Sequence, residues 1–204
     1  MGEQLFSEME ATLKKAAAAL RDAEIPFLLG GSLASWARGG PETRHDLDLI
    51  IRERDVEAAL SALEAVGMKR EVPPEDWLVK AWDGDVMLDL IFQPSGVTVD
   101  DEMFARADTL TVRGMTLRVM SLEDLMVTKL MSITEHNIRY EGLLASARAL
   151  REQVPWESLR QRTAGSPFAE AFFVLCESLG IAPSKPVPRG ARPTEVRVVG
   201  DHAT

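Results

Sequence analysis

The chain has 204 residues and a formal net charge of -9; 46% of the residues are hydrophobic and 27% are charged, which is ordinary for a soluble globular protein with one sizeable core. No apolar run approaches the roughly 20 residues of a membrane span, no signal sequence opens the chain, and the single cysteine, Cys176, excludes an internal disulfide, so we expect a cytoplasmic protein. The acidic balance argues against a polynucleotide held mainly by its phosphates, unless a local basic patch is present.

Helices and strands alternate in the first half of the chain. Apolar residues at helical spacing, from Leu5 to Leu20, predict an amphipathic helix, and Pro26 breaks the pattern. Asp83-Gly84 and Arg113-Gly114-Met115 are typical of hairpin turns. In chain order, the elements expected after the first helix are a strand over 25–29, a helix over 32–37, a strand over 46–51, a helix over 54–66, strands over 77–82 and 86–92, a helix over 100–107, and strands over 110–112 and 116–119.

Helical patterns fill the second half of the chain. Ser121 and Asp124 approximate a capping box, with Asp in place of the usual Glu or Gln. Cys176 lies on the apolar face of a predicted helix, which indicates a small core residue. The segment after Pro183 is rich in Pro, Gly and Arg, and we expect it to be loosely held. The expected helices span residues 121–134, 139–152, 156–164 and 168–179.

The order of these elements predicts the fold class. Hairpins and helical crossovers are interleaved, so we expect an α+β fold with a mixed β-sheet flanked by helices, followed by a C-terminal helical region. The predicted division is an α/β domain over 1–120, the helical region over 121–182 and a flexible tail over 183–204.

The first pattern with chemical meaning is Asp46-Leu47-Asp48, at the start of a predicted strand. Alternate residues of a strand share a face, so the two carboxylates are expected about 7 Å apart on one side of the sheet. Such a pair repels itself unless a cation lies between its members, and oxygen ligands of this kind suit magnesium. Alone, the pattern is more often an exposed strand end.

The second pattern, Gly30-Gly31-Ser32, lies between a predicted strand and a predicted helix. Glycines let a ligand approach the backbone closely, and the N–H groups that open a helix favour an anion. The Ser32 hydroxyl would add a hydrogen bond to a phosphate. The alternative is a tight turn in which Ser32 only caps the helix.

The third pattern is Asp89, which is flanked by apolar residues on both sides in Val86-Met87-Leu88-Asp89-Leu90-Ile91-Phe92. A charge on a buried strand is expensive unless a metal or a cationic partner compensates it. A structural salt bridge is therefore the simple alternative to a metal site.

Together these patterns resemble the signature of the DNA polymerase β-like nucleotidyltransferase superfamily. That signature is an apolar residue, Gly, then Gly or Ser, a short gap, and Asp-x-Asp between apolar residues. Here Leu29-Gly30-Gly31-Ser32 and Asp46-Leu47-Asp48 fit it, with residues 33–45 between them. The resemblance covers residues 25–92 closely and extends more loosely to residue 135.

Within the superfamily the chain is similar to small bacterial nucleotidyltransferases, which include abortive-infection-type toxins and the lincosamide and aminoglycoside nucleotidyltransferases. Ser121-Leu122-Glu123-Asp124-Leu125, leading to Lys129-Leu130, is similar to their Asp-Leu-x-x-x-Lys-Leu helix. Lys129 shares the apolar stripe of that helix, so a triphosphate or Asp89 is its expected partner, and the alternative is a lysine that snorkels from the edge of the stripe. Arg139-Tyr140-Glu141 keeps only part of the Arg-x-Lys-Asp element of the toxin-type relatives.

The resemblance implies nucleotidyl transfer, in which an acceptor hydroxyl attacks the α-phosphorus in line and pyrophosphate leaves. The implied cofactor is Mg²⁺, with Mn²⁺ as a substitute. Arg38 is a further candidate for phosphate contact. The implied catalytic and metal-binding residues are Asp46, Asp48 and Asp89, and the implied nucleotide-binding residues are Gly30, Gly31, Ser32, Lys129 and Arg44.

The implied partners are a nucleoside triphosphate and a hydroxyl acceptor on a small molecule, a tRNA or a protein, and no membrane. Two alternatives stay open. One is a toxin-type tRNA nucleotidyltransferase, for which an antitoxin is a candidate partner. The other is a non-catalytic nucleotide-binding or partner-binding module on the same fold, against which retention of the three carboxylates argues.

Overall fold

The computed structural model describes residues 2–41 and 47–183, with side chains from Ser7 onward. In chain order, the described residues form α1 (Gly2–Asp22), β1 (Phe27–Leu29), α2 (Gly31–Ala37), β2 (Leu47–Ile51), a 3₁₀ turn (Glu53–Asp55), α3 (Val56–Ala65), β3 (Lys69–Glu71), β4 (Leu78–Asp83), β5 (Val86–Ile91), α4 (Asp101–Arg106), β6 (Asp108–Val112), β7 (Met115–Val119), α5 (Leu122–Met131), α6 (Glu141–Ala149), α7 (Trp156–Arg162) and α8 (Pro167–Ser178).

The strands of the described residues form one sheet in the order β3-β4-β5-β2-β1-β7-β6. The pairs β2–β5 and β1–β7 are parallel, and the other neighbouring pairs are antiparallel. The sheet is therefore mixed, and the prediction of an α+β fold with a mixed sheet flanked by helices is confirmed.

The predicted helices and strands are present, with ends that differ by a few residues. The first turn of the helix predicted over 54–66 is a 3₁₀ turn, and α3 itself begins at Val56. Strand β3 was not predicted. Its three residues are charged and exposed, so it has no apolar alternation, and such charges are typical of a sheet edge that is protected from pairing with another chain.

The two faces of the central strands differ in burial. On β5, Val86, Leu88 and Leu90 are buried on one face, whereas Asp89 and Ile91 are only partly buried on the other. Helices α1 and α3 contact β5 and β4, and Thr12 of α1 donates a hydrogen bond to Asp83 at the end of β4 (3.1 Å). The partly buried face is covered in part by α5 and contains the site described below.

One continuous buried cluster extends from α1 to α8, so the sheet and the C-terminal helices share a core. Cys176 belongs to this cluster, which confirms its prediction as a core residue, and burial raises the pKa of its thiol to about 11. The division of the chain at residues 120 and 182 stays a prediction. The tail predicted from residue 183 lies, apart from Pro183, outside the described residues.

Asp124 fixes the start of α5. The backbone N–H of Asp124 donates to the Ser121 hydroxyl (3.1 Å), which confirms Ser121 as the cap. The carboxylate of Asp124 is fully buried and accepts from the Ser121 hydroxyl (2.8 Å), Arg162 (2.6 Å) and Arg106 (3.3 Å). The acid therefore binds the Ser121 side chain, where a capping box would have it bind the Ser121 backbone N–H.

We expect Asp124→Asn to lower the free energy of unfolding by about 2 kcal/mol, because it removes charge-assisted hydrogen bonds from two arginines that stay in place. Burial alone would raise the pKa of Asp124, but the hydrogen bonds from Arg162, Ser121 and Arg106 outweigh burial and hold it below 3.8. Because the pKa of Asp124 is lower in the folded state than its ordinary value of 3.8, the stabilisation by this carboxylate is complete above pH 3.8. It is lost as the pH falls through the folded-state pKa.

Urea unfolding of the wild type and the variant at neutral and acidic pH measures this contribution. The matched control is Glu57→Gln, which removes one carboxylate of an exposed ion pair with Arg70 and should change stability by less than about 0.5 kcal/mol. Equal stability of the Asp124 variant and the wild type at neutral pH would contradict the structural role of this carboxylate.

Candidate functional site

Asp48 and Asp89 lie side by side. Asp48 is on β2 and Asp89 on β5, and the parallel register makes them direct partners. Partners in register point to the same face of a sheet, and both residues are partly buried on the face opposite the α1–α3 core. This placement is compatible with the shared metal site that the resemblance implies for Asp48 and Asp89. Asp46 and Arg44 lie outside the described residues.

The Gly30-Gly31 turn packs directly on Asp48. The backbone N–H of Gly30 donates to the carbonyl oxygen of Asp48 (2.8 Å). Gly31 has a φ of 57°, and a Cβ atom at this position would overlap the carboxylate of Asp48. Glycine is therefore required at position 31 for two reasons, the left-handed backbone and the close approach of the side chain.

Ser32 does not cap α2. The residue at the cap position is Gly30, and no side-chain hydrogen bond caps the helix. Ser32 instead lies in the first turn and lines the same cleft as Asp48 and Gly31. The alternative interpretation of Ser32 as only an N-cap is therefore wrong.

Lys129 of α5 lines the cleft and faces Asp48. Burial lowers the pKa of Lys129, and the negative charge of Asp48 opposes that effect. A buried ammonium is stabilised by anions, so a phosphate in the cleft would favour its charged form. Asp89 was one of the two partners expected for Lys129, but a different lysine binds it.

That lysine is Lys80, the register partner of Asp89 on β4. Its ammonium donates to Oδ1 of Asp89 (2.9 Å) and lies 3.2 Å from the sulfur of Met87. The structural salt bridge named as the alternative for Asp89 is thus present. The sequence carries a signal for this salt bridge, since a tight turn at Asp83-Gly84 places residue 80 opposite residue 89.

A cleft of about 500 Å³ opens over this part of the sheet. Its charged end contains Asp48 and Lys129 together with the glycine turn. Apolar and polar side chains line the rest of the cleft in similar numbers. The remaining lining residues are Ile50, Asp76, Trp77, Ile91, Gln93, Pro94, Ser95, Met120, Leu125, Thr128 and Ser132.

The pair of carboxylates that Asp48 forms with Asp89, its neighbour on β5, suits a hard divalent cation. Asp48 and Asp89 supply carboxylate oxygens from adjacent strands, which is the chemistry that magnesium prefers. Within residues 2–41 and 47–183, no three His, Cys, Asp or Glu side chains cluster as metal ligands would. The third predicted ligand, Asp46, lies outside those residues, so the predicted metal role of the three carboxylates stays a prediction.

Arg38 is used elsewhere in the structure. Its guanidinium donates to the carbonyl oxygen of Met120 (2.5 Å) and forms an ion pair with Asp108 (2.7 Å). These contacts tie α2 to the sheet edge. We therefore withdraw Arg38 as a candidate for phosphate contact.

Among the described residues, no helix has the length and apolar character needed to cross a bilayer.

Comparison with known proteins gives one family. The family model described as "Nucleotidyl transferase of unknown function (DUF2204)" matches residues 9–163. No curated protein matches the chain.

Solved structures show the same fold at low sequence identity. The crystal structure of ANT(2'')-Ia in complex with adenylyl-2''-tobramycin has a TM-score of 0.60 and 18% identity over 81% of this chain and 99% of that chain. The solution structure of the antibiotic-resistance factor ANT(2'')-Ia also has a TM-score of 0.60 and 18% identity, over 88% and 99%. A weaker match, from which no fold is inferred, is the lincomycin-bound lincosamide antibiotic adenylyltransferase LnuA, with a TM-score of 0.49 and 12% identity over 67% of this chain and 93% of that chain.

Proposed function

Because this chain belongs to the family of nucleotidyl transferases of unknown function and is thus an enzyme of the nucleotidyltransferase type, we propose that it catalyses nucleotidyl transfer. In the proposed reaction, a nucleoside monophosphate moves from a nucleoside triphosphate to a hydroxyl acceptor, and pyrophosphate is released. The proposed cofactor is Mg²⁺, with Mn²⁺ as a substitute. The observation that carries the proposal is the cleft in which Asp48, in register with Asp89, contacts the Gly31 turn and faces Lys129.

Each residue of the charged end has a role in this proposal. Asp48 and Asp89, with Asp46, would hold the divalent cation, which when bound neutralises charge on the phosphate oxygens. The Gly30-Gly31-Ser32 turn would contact phosphates through its backbone N–H groups and the Ser32 hydroxyl. Lys129 would act on the β- or γ-phosphate as a point charge.

The reaction itself is an in-line displacement at the α-phosphorus. The oxygen of the acceptor hydroxyl forms a bond to the α-phosphorus, and the bond from that phosphorus to the α,β-bridging oxygen breaks, so pyrophosphate carries away the electron pair. In this proposal a carboxylate oxygen of Asp89 receives the proton of the hydroxyl. Lys80 would fix the Asp89 carboxylate by its hydrogen bond to Oδ1.

The proposed acceptor is a hydroxyl group on a small molecule, a tRNA or a protein side chain. The ANT(2'')-Ia structure contains adenylyl-2''-tobramycin, so a hydroxylated small molecule is the first class to test. A tRNA acceptor, and with it a toxin-type activity and an antitoxin partner, is less compatible with a net charge of -9.

One observation favours a second function, a non-catalytic nucleotide-binding module. The Lys80 ammonium occupies an oxygen of Asp89 that a cation would otherwise use. A module of this kind would bind a triphosphate in the same cleft but would transfer nothing. Binding and transfer must therefore be measured separately.

The first test is ligand-linked stability. At 100 times its dissociation constant, a magnesium–triphosphate complex that binds only the folded protein adds about 2.7 kcal/mol, which corresponds to a rise of about 5–10 °C in Tm for a chain of this size. We expect Lys129→Ala to weaken triphosphate binding about tenfold or more, because it removes a charge-assisted contact and leaves the carboxylates intact. Calorimetric melting with magnesium and each of the four ribonucleoside triphosphates measures both effects.

The control is Lys69→Ala, which removes an exposed lysine of β3 and should leave the triphosphate-dependent rise in Tm unchanged. Each variant is compared with its own ligand-free melting temperature, so a change in basal stability does not affect the result. A wild-type Tm that is indifferent to magnesium with every triphosphate would contradict the proposed site.

A further inference from the structure

Trp77 is an aromatic residue exposed at the wall of the cleft. It directly precedes β4, is 40% exposed and lines the cleft at the end away from the carboxylates. Its carbonyl oxygen accepts hydrogen bonds from the backbone N–H groups of Phe92 (3.1 Å) and Gln93 (3.2 Å). The backbone at Trp77 is thus held against the end of β5, and the indole remains available to a ligand.

The distance from Trp77 to the carboxylates can be read from the sheet. The Trp77 carbonyl accepts from the N–H groups of both residue 92 and residue 93, so regular strand alternation ends here, and the backbone of Trp77 lies three to four residues, about 10–13 Å, beyond Asp89 along the direction of β5. Ile50 and Ile91 lie between, on the same face as the two carboxylates. This spacing suits a ligand whose anionic group and planar ring are joined by a sugar.

The volume of the cleft favours one ligand that spans both ends. A space of about 500 Å³ is that of a single small-molecule site, so a triphosphate at Asp48 and Lys129 would extend its ribose and base toward Trp77. Gln93 lines the same end, and its amide offers both a donor and an acceptor to the edge of a base.

We propose that Trp77 is the surface on which the nucleobase of the triphosphate stacks. This inference rests on the proposed function. Stacking on an aromatic side chain tolerates every base, because every base has a π-face. Purine triphosphates, which have the larger rings, should bind more tightly than pyrimidine triphosphates, and Trp77 should account for most of that difference.

The experiment compares two ligands, magnesium–ATP and magnesium–tripolyphosphate, by isothermal titration calorimetry. Tripolyphosphate has the phosphates but no base. We expect Trp77→Ala to weaken ATP binding about tenfold and to leave tripolyphosphate binding unchanged. Trp77→Phe should recover most of the ATP affinity. The control is Trp82→Ala, which removes a half-buried indole that does not line the cleft and should affect neither ligand.

The outcomes separate the inference from the function it rests on. If Trp77→Ala leaves ATP affinity unchanged, or weakens ATP and tripolyphosphate equally, base stacking on Trp77 is overturned while the phosphate site stands. A higher KM for the acceptor with unchanged ATP affinity would assign Trp77 to the acceptor and would also overturn it. If the wild type binds neither ligand, the proposed function itself fails.

Discussion

Gly31→Ala is expected to abolish nucleotidyl transfer, with a fall of at least 1,000-fold in the rate. Two separate effects combine at this position. An alanine at a φ of 57° is strained, and its Cβ would overlap the Asp48 carboxylate, so either the turn or the carboxylate must move. A shift of about 1 Å at a reacting centre already costs about 100-fold, and the displaced carboxylate is itself a proposed metal ligand. The measurement is single-turnover transfer of labelled nucleotide.

Gly84→Ala separates backbone strain from the clash. Gly84 has a φ of 62°, close to that of Gly31, but a Cβ added there meets no atom within 4 Å. We expect this variant to lose a little stability and to keep its transfer rate. If the two alanine variants were equally active at matched folding, the contact between Gly31 and Asp48 would have no importance for catalysis.

Asp48→Asn is expected to reduce transfer by at least 100-fold, which is about 2.7 kcal/mol of transition-state stabilisation. The amide keeps the shape of the carboxylate but removes one negative charge from the site next to Asp89. The triphosphate would still reach the glycine turn and Lys129, so we expect the rate of the chemical step to fall more than binding does. Transfer and calorimetric binding are therefore measured on the same preparation.

The control for this charge change is Asp85→Asn, in the exposed turn between β4 and β5. It alters the net charge by the same amount far from the carboxylate pair and should leave transfer unchanged. Full activity of Asp48→Asn alongside that control would mean that the proposed metal site is not where transfer takes place.

The parts of the site that the sequence predicted are those with local signals. The Gly30-Gly31-Ser32 turn was predictable because glycines mark tight turns at a strand end. Strand alternation likewise indicated that Asp46 and Asp48 share a face, which stays a prediction because Asp46 lies outside the described residues. The helices of the second half were predicted in the same way, since their apolar spacing is a property of a few successive turns.

The parts that were not predicted depend on pairing between distant segments. The register that sets Asp48 beside Asp89 joins two strands separated by a helix and a hairpin, and no local pattern specifies it. The same packing of distant segments leaves no room beside Asp48 for a Cβ atom at position 31. Strand β3 was missed because pairing with β4, and not its own charged residues, makes it a strand.

The position of the transferred label tests the central claim most directly. The protein is incubated with magnesium and ATP labelled at either the α- or the γ-phosphate, together with acceptor fractions that contain small hydroxylated molecules, tRNA and proteins. We expect acceptor to be labelled only from α-labelled ATP, the γ-label to appear in pyrophosphate, and both signals to fall at least 100-fold in Asp48→Asn. Acceptor labelled from γ-labelled ATP would indicate phosphoryl transfer and contradict nucleotidyl transfer, and magnesium-dependent ATP binding with no labelled acceptor in any fraction would establish the non-catalytic module in its place.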